Sequence, residues 1–247
     1  MLTDKIALVT GAGAGIGRAV ARSLAGAGAT VVVTGRSEGP LETLVEEITA
    51  AGGSAWAAAL DVTDPAAHAN VVAAIEQRHG RLDIAVNNAG VTIPATPTAE
   101  LTDAQWEFVR GVDLDGVFYG VRSQLPAMLR SGGGVIIAIS SIAGKRGLAG
   151  MAPYAAAKHA VLGLMETVAW EYGERGIRAL SVGPAFIRTG LEDNQPAEVR
   201  EALPGLHALG RLGEPEEVAA AVTWLADDQA SFVTGSYIPV DGGYLAR

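Results

Sequence analysis

Thr10-Gly11-Ala12-Gly13-Ala14-Gly15-Ile16-Gly17 is the stretch whose setting decides the fold. An apolar run of strand length, Ile6–Thr10, leads into it, and a helical pattern over 16–27 follows at once. Small residues at such a turn let backbone N–H groups approach a pyrophosphate, and the helix N-terminus adds a favourable dipole. Alone, a glycine-rich turn is often only a tight connection. Between the first strand and the first helix it is a strong dinucleotide signal. Gly11, Gly15 and Gly17 are the phosphate-loop glycines, with Gly13, Ala14 and Ile16 completing the loop.

Outward from this turn the same alternation repeats. Strand candidates follow at 31–34, 57–60, 84–87, 135–140, 178–182 and 237–240. Helical patterns lie between them at about 39–51, 66–79, 102–130, 152–174 and 215–227. The early strands are almost uniformly apolar, as expected when helices cover both faces of a parallel sheet. The alternation predicts an α/β, doubly wound, Rossmann-type sheet of seven parallel strands with right-handed crossovers. No linker, repeat or composition shift divides the chain, so one domain over 1–247 is expected.

Composition bounds the partners. The chain has 247 residues, 49% hydrophobic, enough for a sizeable core. Its formal charge is −9 with no basic run, so neither nucleic acid nor an anionic membrane is an expected partner. An anionic ligand needs a local positive site built from backbone and one or two arginines. The absence of cysteine excludes disulfides and Cys-ligated metals, and no metal site is expected. Met1 to Lys5 enters a strand without the apolar core of a signal peptide, and no uninterrupted apolar segment reaches membrane-spanning length. A cytoplasmic protein is the expectation.

The strand ends carry the chemistry. An acidic residue about 20 positions past the glycines would bond a ribose 2′-hydroxyl. Here the second strand ends in Thr34-Gly35-Arg36-Ser37, and an arginine fork suits a 2′-phosphate. NADP(H) is therefore favoured, with NAD(H) still possible. Asp61-Val62 ends the third strand. Asp61 either accepts from an adenine amine or, like Asp64 before Pro65, makes a turn or helix cap. Asn88, Ala89 and Gly90 close the fourth strand, where small residues leave room for a flat ring or ribose. Ser140 and Ser141 close the fifth, on the carboxyl edge where open α/β sheets bind ligands.

Tyr154-Ala155-Ala156-Ala157-Lys158 opens the helical run at 152–174. Residues four apart share a helix face, so the phenol and the ammonium project together. Phenol ionises at a pH of about 10 in water, and a fixed cation beside it favours the phenolate. A surface helix with an ordinary Tyr and Lys satisfies the same five residues. The rest of the chain has to decide.

Together these segments resemble the short-chain dehydrogenase/reductase family, in its compact branch that includes 3-oxoacyl-carrier-protein reductases. The likeness covers nearly the whole chain. It extends to Gly183-Pro184-Ala185-Phe186-Ile187-Arg188-Thr189, Arg211-Leu212-Gly213-Glu214-Pro215-Glu216-Glu217-Val218 and Asp241-Gly242-Gly243. The resemblance implies that Tyr154 is the general acid/base and that Lys158 holds the nicotinamide ribose. It implies that Ser141, thirteen positions before the tyrosine, orients the carbonyl. It also implies that Pro184, Ile187 and Thr189 contact the nicotinamide end of the cofactor. Two positions depart from the pattern. The family's Val-Asn-Leu is Val112-Asp113-Leu114, so Asp113 stands where an asparagine supports a proton path to the lysine. A buried carboxylate there needs partners or a raised pKa. Ala185 replaces the glycine after the proline.

The expected activity is interconversion of a ketone and a secondary alcohol by a nicotinamide-dependent enzyme. Candidate substrates are 3-oxoacyl thioesters, simple ketones and sugar-derived ketones. A substrate loop is expected at about 191–209, containing Gln195-Pro196 and His207, the latter read as a surface histidine. The family resemblance implies a homotetramer. An idle dinucleotide-binding sensor or scaffold is the alternative; it has no chemical need for Ser141, Tyr154 and Lys158 together.

Overall fold

The computed structural model describes residues 1–190 and 197–246. Among the described residues, fifteen strands and helices carry the fold. They run β1 (Ile6–Thr10), α1 (Gly15–Gly26), β2 (Thr30–Gly35), α2 (Glu38–Ala50), β3 (Ser54–Ala59), α3 (Pro65–His79) and β4 (Ile84–Asn87). Next come α4 (Asp103–Arg110), α5 (Gly116–Arg130), β5 (Gly134–Ile139), α6 (Ala152–Tyr172) and β6 (Ile177–Pro184). The chain ends with α7 (Ala197–Ala202), α8 (Pro215–Ala226) and β7 (Tyr237–Val240).

The strands form one seven-stranded sheet in the order β3-β2-β1-β4-β5-β6-β7, every neighbouring pair parallel. Side chains alternate across a strand, so each strand feeds two cores. Ala7, Val9, Val31, Val33, Ile137 and Val182 pack against Leu24 of α1, Leu44 of α2 and Val222 of α8. Leu8, Val32, Ala85, Ile136 and Ala179 face the other way, onto Ile75 of α3, Val121 of α5 and Met165 of α6. All five residues of β1 are buried, which explains its unbroken apolar sequence. Strand order reverses between β1 and β4, and the crevice at their carboxyl ends is where such a sheet takes its ligand.

Two expectations need correction. The single helix expected over 102–130 is two helices joined by a π-helical turn, Gly111–Asp115. Hydrophobic spacing does not distinguish this turn, because one extra residue per loop leaves the flanking apolar stripes intact. His207 is not on the surface. It is buried, with Nδ1 3.0 Å from the Leu203 carbonyl and its ring centroid 5.9 Å from that of Phe186 and 6.0 Å from that of Tyr244. A polar residue in an irregular segment reads as exposed until the aromatic rings that cover it are placed. Part of the expected substrate loop, including Gln195-Pro196, lies outside the described residues.

Candidate active site

The glycine turn is built around the end of β4. Gly11 and Gly15 have positive φ, 63° and 51°, a region that favours glycine. A Cβ on Gly17 would lie 2.4 Å from both Asn88 Nδ2 and the Gly11 carbonyl oxygen. One on Gly11 would lie 2.9 Å from Ala89 Cα, and one on Gly15 3.2 Å from the Thr189 methyl. Asn88 Nδ2 donates to the carbonyls of Thr10 (2.9 Å) and Gly11 (3.2 Å). Thr10 Oγ1 in turn accepts from the N–H groups of Asn88 and Ala89, at 3.0 and 3.1 Å. The loop, Asn88-Ala89 and Thr189 are thus one packed unit. The N-cap of α1 is Ala14, which has no side-chain oxygen to accept from the first-turn N–H groups. These residues fit a dinucleotide: bare backbone, close approach and a helix dipole at one edge.

Arg36 stands exposed just past β2. Asp61 Oδ1 accepts from Thr63 N (2.9 Å) and Thr63 Oγ1 (2.7 Å), so the turn role weighed for Asp61 is present. These bonds hold its carboxyl below the ordinary value, with a smaller contribution from nearby Arg36. Asp64 caps α3 by accepting from Ala66 N.

The expected acid/base pair lies across the crevice, on α6. Tyr154 is half-buried in the first turn, and the Lys158 ammonium sits 5.4 Å from its ring centroid. Lys158 is buried, 3% exposed, and Nζ donates to the Ile139 carbonyl at 3.0 Å. Its second partner is Asp113 Oδ1, also at 3.0 Å, on a residue with no exposure at all. The other carboxylate oxygen accepts from Val91 N at 3.1 Å. The π-helical turn swings Asp113 inward, and Gly90 leaves it room, since a Cβ there would lie 2.8 Å from Oδ1. Burial pushes the Asp113 carboxyl up, and the Lys158 charge only partly opposes this. Burial alone would lower Lys158, but Asp113 and Tyr154 outweigh it and hold the ammonium above its ordinary value. Oδ1 has no well-directed hydrogen bond despite its distance from Nζ. The pair is an ion contact without a directed hydrogen bond.

Ser141 follows β5 in extended backbone. Its Oγ accepts from Ala143 N at 3.1 Å, which leaves the hydroxyl proton available to a ligand. The loop is fastened to α6 by Ser140 Oγ, which donates to the Lys158 carbonyl at 3.1 Å. Of the residues expected at the nicotinamide end, Pro184 ends β6, Ile187 pairs with Gly213 in an isolated bridge, and Thr189 abuts Gly15. The structure therefore gathers the glycine loop, Asn88-Ala89-Gly90, Asp113, Ser141, Tyr154, Lys158 and Thr189 along one sheet edge. Val62 lies further out, beside Gly116. Three contributions were not legible in the sequence. Thr10 stands in the glycine-turn stretch without a role for its hydroxyl, and Asn87 stands in Asn87-Asn88-Ala89-Gly90 without its partner Gln124. That pair exchanges two hydrogen bonds, at 3.0 and 2.9 Å, beneath the crevice. Tyr237 is the third.

This geometry defines a nicotinamide-dependent oxidoreductase of the doubly wound class. The family model described as enoyl-(acyl carrier protein) reductase matches residues 11–245. The chain is 43% identical to cyclohexanol dehydrogenase of Acinetobacter sp. (strain SE19), covering 99% of this chain and 96% of that protein. It is 39% identical to the 3-oxoacyl-[acyl-carrier-protein] reductase FabG of Thermotoga maritima, covering 99% of each. A protein from Beutenbergia cavernae, solved with NADP bound at low occupancy, superposes with a TM-score of 0.93 at 38% identity, over 100% of this chain and 98% of that one. The chain belongs to the short-chain dehydrogenase/reductase family, whose members interconvert alcohols and ketones.

Proposed function

We propose that this protein is an NADP(H)-dependent reductase of a small ketone and, in reverse, a dehydrogenase of the corresponding secondary alcohol. One observation carries the proposal: a buried Lys158 under a half-buried Tyr154, on the same sheet edge as Ser141 and the glycine cradle. Cyclohexanol dehydrogenase and the 3-oxoacyl reductase among its relatives set the substrate range to test first. The bound nicotinamide supplies or accepts the hydride. Ser141 donates to the carbonyl oxygen and fixes its direction. Tyr154 delivers a proton to that oxygen in reduction and removes it in oxidation. Lys158 holds the ribose hydroxyls and keeps a positive charge beside the phenol. Asp113 keeps Lys158 in place and ties it to Val91. Gly11, Gly13, Ala14, Gly15, Ile16 and Gly17 hold the pyrophosphate. Asp61 and Val62 flank the adenine, and Asn88, Ala89, Gly90, Pro184, Ile187 and Thr189 line the path to the nicotinamide. The segment at about 191–209 is proposed to select the substrate.

The preference for NADP(H) rests on Arg36, exposed at the strand end with no carboxylate there to meet a ribose hydroxyl. The enzyme is proposed to work as a homotetramer in the cytoplasm. No described helix is long and apolar enough to cross a membrane. A panel of cyclic ketones, 3-oxoacyl thioesters, an enoyl thioester and secondary alcohols, followed at the reduced-nicotinamide absorbance band, tests the activity. Turnover of ketones and alcohols supports it. Turnover of the enoyl thioester alone, or of nothing, contradicts it.

A further inference from the structure

Tyr237 lies on β7, at the sheet edge, and nothing in its sequence context marks it out. The strand pairs with β6 in parallel, with Ser181 opposite Tyr237 and Gly183 opposite Pro239. The ring lies back across β6 over Gly183, where a Cβ would come 2.0 Å from the phenol oxygen. Only a glycine leaves this path open. Beyond it, the Tyr237 hydroxyl donates to the Ser141 carbonyl at 3.1 Å. A residue of the outermost strand thereby reaches the carboxyl end of β5, two strands away.

The Ser141 peptide is held from three directions. Its carbonyl accepts from Gly144 N at 2.9 Å as well as from Tyr237, and its Oγ accepts from Ala143 N. The first and last of these bonds are local to the turn. Tyr237 ties the Ser141 carbonyl itself to a different part of the sheet. Around the phenol stand the Lys145 ammonium, 5.4 Å from the ring centroid, and the charges of Asp241 and Tyr154. Burial first, then Asp241 and Tyr154, hold this phenol far above its ordinary value. The phenol therefore keeps its proton and serves as a donor. The two tyrosines differ accordingly: Tyr154 sits against a cation-bearing lysine, Tyr237 against a backbone oxygen.

We propose that Tyr237 is a positioning residue of the active site, acting through Ser141. Its hydroxyl fixes the Ser141 peptide, and with it the direction of the Ser141 hydroxyl toward the substrate carbonyl. This rests on the carbonyl-orienting role given to Ser141 above. Tyr237→Phe keeps the ring over Gly183 and removes only the donor. In the full-length enzyme, kcat for ketone reduction falls about tenfold, the equivalent of one directed hydrogen bond. KM and the NADPH Kd stay within about twofold. The Ser141 carbonyl keeps its Gly144 donor, so Tm falls by no more than about 2–4 °C.

The Ser141→Ala background separates positioning from mere support of the fold. There, adding Tyr237→Phe changes kcat by less than about twofold, because the hydroxyl it aims is gone. Wild-type kcat in Tyr237→Phe overturns the proposal. So does a tenfold loss that persists in the Ser141→Ala enzyme, or a loss confined to KM. If Ser141→Ala itself turns over at the wild-type rate, the role of Ser141 fails first and that of Tyr237 falls with it.

Discussion

At the scale of single residues, Asp113 has the largest consequences. Its carboxyl is wholly buried between the Lys158 ammonium and Val91 N. Removing one partner of such a pair strands the other charge in a dry site. Asp113→Ala should therefore lower unfolding free energy by about 3–5 kcal/mol in denaturant titrations. Asp113→Asn keeps an acceptor for Val91 N and should cost distinctly less. Folding raises the Asp113 carboxyl above its unfolded value, so folding favours the protonated form. Its contribution to stability is fully present below a pH of about 3.9 and is lost as pH rises through the raised folded value. Lys158 is raised as well, so its contribution persists to a pH of about 10.4 and fades above that. Measured across pH, the stability of the native chain relative to Asp113→Asn should decline from acid toward neutral pH. A flat difference would show that Asp113 does not titrate in this environment.

Tyr154 and Lys158 were legible because helical spacing brings residues four apart onto one face. Asp113 was legible as a departure from a motif, and its surroundings were not. Contact with Val91 depends on a backbone donor, and burial against Lys158 depends on the π-helical turn. Tyr237 was invisible for a related reason: its function follows from where a ring lands after crossing a neighbouring strand, and local sequence carries no record of that.

At the scale of elements, the glycine turn and β4 stand or fall together. Gly17→Ala would put a Cβ 2.4 Å from Gly11 O, a backbone atom with little room to yield. Overpacking of this kind costs about 1–3 kcal/mol, and each kcal/mol is read as a Tm loss of about 2–4 °C in a chain of this size. Dinucleotide affinity should fall as well, since the loop must shift away from Asn88. Unchanged affinity for NADPH and NADH in that variant would show that the cradle is not the binding site. The strands were legible from their apolar runs, and β1, β4 and β7 have the expected ends. β3 begins at Ser54, earlier than expected: Ser54 is exposed and Ala55 and Trp56 are only half-buried, so the strand's start lacks the unbroken apolar signal of an inner strand. α7 was not foreseen: six residues with no buried side chain leave no periodic stripe to read.

At the scale of the whole molecule, a net charge of −9 must accommodate an anionic dinucleotide. In the proposed binding mode the backbone donors at α1 and the Arg36 guanidinium supply the local positive field. Arg36→Ala should weaken NADPH by about tenfold to a hundredfold, as expected for lost charge-assisted hydrogen bonds, and leave NADH nearly unchanged. A clear NADH preference in the native chain, kept in Arg36→Ala, would contradict the cofactor assignment. Trp170 on α6 is 90% exposed, and Phe232 is fully exposed. Large apolar side chains in the open support the proposed assembly. Trp170→Glu should shift native mass from four chains toward fewer, and a native mass of one chain in the unaltered protein would rule the tetramer out.

All of these effects matter to function only if proton transfer runs through Tyr154. The direct measurement is the rate of ketone reduction by Tyr154→Phe, with NADPH affinity and Tm measured on the same preparation. A fall of about 10²–10⁴-fold in kcat is expected, with cofactor affinity and fold retained. Turnover at the native rate would contradict it.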